Sequence, residues 1–160
     1  MTADSHSIVE DLYQQCQPLP AVLSTEDFRA MLQRTVAALN ALLTFDPQPF
    51  NGLWSHADDL SVFGGFGGFE RGWDRVEQDT RLAASHFTHG QLTGIELVTL
   101  GASENGDLAF SVWIERALAR LAGSDAMIPL SVRVTHIFRR EEGTWRLIHR
   151  HGDRATERLT

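Results

Sequence analysis

Apolar positions follow helical spacing in the first part of the chain and change to strand character after Gly90, so helices come first and strands last. Ile8, Val9, Leu12, Tyr13 and Cys16 fall on one helical face until Pro18 and Pro20 end the pattern, which predicts an N-terminal arm or short helix within residues 1–22. Ser24 or Thr25 caps a strong helix whose first turn carries Glu26 and Asp27, where carboxylates oppose the helix dipole. Phe28, Met31, Leu32, Val36, Leu39, Leu42 and Leu43 form its single apolar stripe, and Asp46-Pro47-Gln48-Pro49 closes it. A short helical turn over 50–55, a short strand at Leu60–Phe63 and a glycine-rich loop, Gly64–Gly68, follow. A third helix starts near Gly72, with Trp73, Val76, Thr80, Ala83 and Phe87 on one side. Strands are predicted at about 91–101, 107–121, 129–140 and 144–152. The fold class is therefore α+β, helices packed against one face of a curved antiparallel sheet, with one domain at 23–153 and a tail at 154–160.

The last two strands have a register set by their turn. Glu142-Gly143 suits a two-residue hairpin loop, which places Glu141 opposite Thr144 and His136 opposite His149. On that register Val132, Val134, His136 and Phe138 share the inner face with Trp145, Leu147, His149 and His151. Arg133, Arg139, Arg146 and Arg150 then lie outside. A one-residue bulge would swap the faces of one strand. In the strand at 107–121, Leu108, Phe110, Val112 and Ile114 read as inward and Trp113 as outward.

Composition removes several function classes. The 160 residues are 42% hydrophobic, enough for one core, and the net charge of −7 with no basic run disfavours nucleic acid or an anionic membrane as partner. No apolar stretch reaches the length of a membrane span, and the single Cys16 suits a reducing, cytoplasmic setting. All 14 basic residues are arginine, so Schiff-base and phosphate-loop lysine chemistry is excluded. The Gly64–Gly68 loop lacks the residues of a phosphate loop or dinucleotide fingerprint and reads instead as a flexible turn, or lid, beside a cavity.

The ordered set of the capped helix, Leu53-Trp54-Ser55 through Asp59, Val62–Gly68, Gly72-Trp73, Ala109 and the Arg133–Asp153 hairpin resembles the nuclear transport factor 2-like superfamily. Within it, the resemblance is to the SnoaL-like group related to polyketide cyclases and ketosteroid isomerases. That resemblance implies a cone-shaped fold with a long sheet wrapped around about three helices and a pocket at its open end. It also implies a bacterial-type homodimer through the outer sheet face, where Trp113, Ile137 and Ile148 would be covered. By the same analogy Trp54, Phe63, Phe66 and Trp73 lie near the pocket mouth. Two departures matter. Gly64-Gly65 stands where the steroid isomerases place their catalytic aspartate, and Val112 and His136 stand where the hub of calmodulin-dependent kinase has pocket arginines.

The candidate chemistry gathers on the hairpin. His149 and His151 are the candidate acid–base pair, with Trp54, His56, Asp59, Phe63, Trp73, His136 and Asp153 as pocket residues. A carboxylate such as Asp59 or Asp153 would tune the imidazoles. His149, His151 and Asp153 also form an alternative metal set, although no metal or other cofactor is expected. The resulting expectation is a pocket protein for a compact apolar organic molecule. As an enzyme it would run cofactor-free isomerisation, cyclisation or dehydration. The competing reading is a non-catalytic ligand-binding or association module of the same fold.

Overall fold

The computed structural model describes residues 4–16 and 18–156. Asp4 caps α1 (Ser5–Gln15), its carboxylate accepting from the Ser7 N–H at 2.7 Å, and Ile8, Val9, Leu12 and Tyr13 are buried. Thr25 precedes α2 (Glu26–Leu42), but its hydroxyl donates to the carbonyl of Val22 instead of capping the helix. The predicted stripe holds: Phe28, Met31, Leu32, Val36 and Leu39 are buried together. The helices α3 (Gln48–Asn51) and α4 (Trp73–Ser85) complete the helical layer.

Among the described residues six strands form one mixed sheet: β1 (Ser61–Phe63), β2 (Phe69–Arg71), β3 (Phe87–Ala102), β4 (Leu108–Leu121), β5 (Ile128–Glu141) and β6 (Thr144–Arg154). Their spatial order is β2-β1-β6-β5-β4-β3, antiparallel throughout except for the parallel β1–β6 pair. The α+β class is as expected, with β2 added from residues the sequence pattern leaves unassigned. Three register shifts in the β3–β4 ladder bend the sheet, because each bulge adds local twist. As an edge strand, β3 leaves polar backbone groups unpaired on its outer side, and helix side chains satisfy them. The Gln15 amide donates to the Ile95 carbonyl and accepts from the Leu97 N–H, while Asn40 accepts from the Leu92 N–H. Gly90 permits the close approach of the end of α2. A Cβ there would lie 3.0–3.1 Å from Ala119 Cβ, the Leu118 carbonyl and Leu43 Cβ.

Two face assignments are corrected. The hairpin turn is as expected, with Glu142 and Gly143 both at positive φ and Glu141 opposite Thr144. Beyond it, Phe138 pairs with Leu147 but Ile137 pairs with His149, so Ile148 is an extra residue. This bulge reverses every later side chain of β6. His136 now faces Arg150, which turns inward, while His149 and His151 turn to the outer face with Asp153. In β4 the inner face carries Ala109, Ser111, Trp113, Glu115, Ala117 and Ala119, all buried. Leu108 and Phe110 are exposed instead. Small residues at four of the six inner positions make room for Trp113 and Glu115; a scale that ranks large aliphatics as inward chooses the wrong face.

Candidate functional site

A partly enclosed cavity of about 110 Å³ lies between α2, α4 and the concave sheet face. This approaches the cavity of roughly 150 Å³ that takes up a benzene ring. Leu39, Leu42, Phe50, Val62, Phe87, Leu92 and Leu130 supply apolar walls, and Gly64, Gly65 and Phe66 of the β1–β2 loop border it. Phe66 reaches over to His86, with tilted rings 4.1 Å apart, and meets Phe87 edge-on at 5.5 Å. Four polar side chains enter this apolar lining: Asp79 and Thr80 from α4, Glu115 from β4 and Arg150 from β6.

Glu115 and Arg150 form a two-pronged pair, with Nη1 donating to Oε1 and Nη2 to Oε2, both at 2.9 Å. Their side chains are only 6% and 13% exposed, so the pair is desolvated and its geometry matters. Trp113 Nε1 donates to the same carboxylate at 3.1 Å. Arg150 Nη1 also donates to His136 Nε2 at 2.8 Å. Since a guanidinium only donates, Nε2 is the acceptor and His136 is neutral; its proton sits on Nδ1, facing Ser111 Oγ at 3.2 Å. Burial, then the charge of Arg150 and of His149, holds the His136 imidazole well below the ordinary histidine range.

That depressed value has a stability consequence. The unfolded chain takes up a proton near pH 6.5 while folded His136 refuses it, so stability is full above that pH and falls as pH drops toward the folded value. Thermal melts across pH 4–8 are expected to show a steeper acid loss in the wild type than in His136→Gln. Equal slopes would contradict a buried neutral imidazole.

Asp79 stands apart from this network. Its carboxyl is half-buried, makes no hydrogen bond or ion pair among the described residues, and lies against the glycine loop. A Cβ at Gly64 would sit 3.6 Å from Asp79 Oδ2. Burial, and secondarily the charge of Glu70, raises its pKa above the ordinary aspartate value.

The residues expected at the site lie elsewhere. Trp54 is buried in the core beside Phe50, with its Nε1 unpartnered. His56 is exposed and stacks on Trp73 at 4.0 Å. Asp59 takes both Nη groups of Arg139 at 2.6 and 3.1 Å, a pairing that lowers its pKa. On the outer sheet face, His149 Nδ1 lies 2.7 Å from Ser61 Oγ, and Phe63 meets both His149 and His151 edge-on. Burial, then His151, lowers the His149 pKa. Asp153 is gripped by Arg133 at 2.8 and 2.6 Å. None of these lines the cavity; His136 reaches it only through Arg150. The alternative metal set loses Asp153 to Arg133, and among the described residues no three His, Cys, Asp or Glu side chains are grouped for an ion. Phe66, with Gly64 and Gly65 of the glycine loop, does border the cavity.

Asp79, Glu115 and Arg150 were therefore missing from the sequence-level site. Asp79 had a signal, since it shares a helical stripe with Val76, Thr80 and Ala83. Glu115 had one too, as an acid amid the alternating Ala109, Ser111, Trp113, Ala117 and Ala119.

A family model for the SnoaL-like domain matches residues 24–153, and the chain belongs to that family. Solved structures share its fold. A candidate dehydratase of the nuclear transport factor 2-like family from Streptomyces avermitilis is 20% identical, with 82% of this chain and 96% of that one covered and a TM-score of 0.63. A ketosteroid isomerase-like protein from Erwinia carotovora atroseptica is 14% identical, with 83% and 99% covered and a TM-score of 0.64. A candidate association domain of calcium/calmodulin-dependent protein kinase type II from Thiobacillus denitrificans is 18% identical, with 79% and 94% covered and a TM-score of 0.64. No curated protein sequence matches the chain significantly. No helix among the described residues is long and apolar enough to cross a membrane.

Proposed function

We propose that the cavity binds a compact, largely apolar organic molecule and moves a proton on it without a cofactor. Asp79 is the proton acceptor and donor, in place of His149 and His151. Arg150, fixed by Glu115 and His136, is the hydrogen-bond donor for an oxygen on which negative charge develops. The observation that carries this reading is Asp79 itself, a half-buried carboxyl with no hydrogen-bond partner among the described residues, on the wall of an apolar cavity. A raised pKa brings a carboxyl closer to neutral pH, where it exchanges protons more effectively. A preorganised donor in a dry site stabilises an enolate-like oxygen far better than water does. Isomerisation, cyclisation and dehydration that begin with loss of a proton beside a carbonyl pass through such a step. The descriptions of the Streptomyces and Erwinia structures are in keeping with that chemistry.

The test is proton exchange. Compact cyclic ketones in D₂O, followed by NMR, are expected to gain deuterium beside the carbonyl faster with the wild type than in buffer, and Asp79→Asn is expected to lose that acceleration. Methyl resonances of Val62, Leu92 and Leu130 would report binding at the cavity. Shifts without exchange would favour the binding-module reading; no shift and no exchange would count against the cavity.

A homodimer through the outer sheet face is proposed separately. Val98, Leu108 and Phe110 are exposed there, and sedimentation would reveal the pairing. Trp113 takes no part, because it is buried inside.

A further inference from the structure

Among the described residues lining the cavity Arg150 is the sole basic side chain, and its charge is already matched. Both Nη groups bind Glu115, and Nη1 also serves His136. Its Nε–H and the second hydrogen of Nη2 have no protein acceptor among the described residues. The guanidinium therefore offers hydrogen bonds without offering net charge. The other ionisable group of the lining, Asp79, is an acid. An incoming carboxylate would meet two acidic groups against one guanidinium, inside a partly desolvated space where like charges repel strongly. An uncharged carbonyl or hydroxyl oxygen meets the free N–H groups with no such repulsion.

We infer that Glu115 is the specificity-determining residue of this cavity: paired with Arg150, it selects an uncharged ligand bearing an acceptor oxygen and rejects carboxylates. The inference rests on the cavity being the ligand site, as proposed above. It assigns Glu115 a role beyond holding Arg150 in place, because neutralising the acid should convert the cavity into a carboxylate site. In Glu115→Gln the amide oxygen can still accept from Trp113 and Arg150 Nη1, while the guanidinium regains an unmatched charge.

The experiment compares cyclohexanone with cyclohexanecarboxylate at pH 7, using the methyl shifts of Val62, Leu92 and Leu130 to read affinity at the cavity. In the wild type the ketone is expected to bind more tightly by on the order of tenfold or more. In Glu115→Gln the carboxylate is expected to gain at least about tenfold, and that gain should shrink as salt is added. Should Glu115→Gln not fold, Glu115→Gln/Arg150→Gln removes both charges, and there the ketone is expected to weaken with no recovery of the carboxylate bound. Carboxylate binding to the wild type as tight as the ketone overturns the inference and leaves the cavity standing as the ligand site. Failure of both probes to shift any cavity methyl overturns the cavity reading as well.

Discussion

Glu115→Ala is expected to destabilise the fold by about 3–5 kcal/mol, because it strands the guanidinium of Arg150 without its carboxylate in a desolvated site. The loss has three sources in the structure. Arg150 loses both arms of the pair, Trp113 Nε1 loses its acceptor, and a void opens beneath the cavity. Urea unfolding would measure it. A surface comparison is Asp59→Ala, which leaves Arg139 its second partner, Glu141. This removes an equally two-pronged partner of Arg139 from an exposed position, where the loss should stay below about 1 kcal/mol. Replacing both Glu115 and Arg150 by apolar residues of similar volume should recover much of the stability, since burying an ion pair is itself costly. A loss near that of Asp59→Ala would mean that water reaches the pair freely.

The second large effect has the opposite sign. Asp79→Asn is expected to raise the melting temperature at pH 7 while abolishing proton exchange. Folded Asp79 holds its proton to higher pH than the unfolded chain does, so its contribution is most favourable below about 3.8. It declines as pH rises through the raised folded value. Above that value an ionised, half-desolvated carboxylate with no partner among the described residues opposes folding, and an uncharged amide removes the penalty. The gain should therefore be larger at pH 7 than at pH 4. Stability gained where activity is lost is the signature of a group placed for chemistry instead of for the fold. A lower melting temperature in Asp79→Asn at pH 7 would assign the residue a structural role.

How much of this was legible in the sequence depended on whether local rules decided the outcome. The helices were, because Phe28, Met31, Leu32, Val36 and Leu39 repeat at a period that only one face can satisfy. The hairpin turn was as well, since Glu142-Gly143 allows two consecutive positive φ angles. The site was not, and one residue explains most of the failure. The bulge at Ile148 inverts β6 without any marker in composition, and it exchanges Arg150 for His149 and His151 on the inner face. A histidine pair is then read as the site and an inward arginine as surface. In β4 the concave surface selected small residues and one acid, against the usual preference for large apolar side chains inside. Asp79 was hidden differently. Its place in the stripe of Val76 and Thr80 was visible, but that the stripe faces a cavity instead of packed core is set by residues far along the chain, such as Leu92, Leu130 and Arg150.

The most direct measurement is a ¹³C NMR titration of the Asp79 carboxyl, alone and with cyclohexanone. Titration above the ordinary aspartate range, with a midpoint that moves when the ketone is added, is the expected result. A midpoint at the ordinary value near ~3.9, unchanged by the ketone, would contradict Asp79 as the proton-transferring group of the cavity.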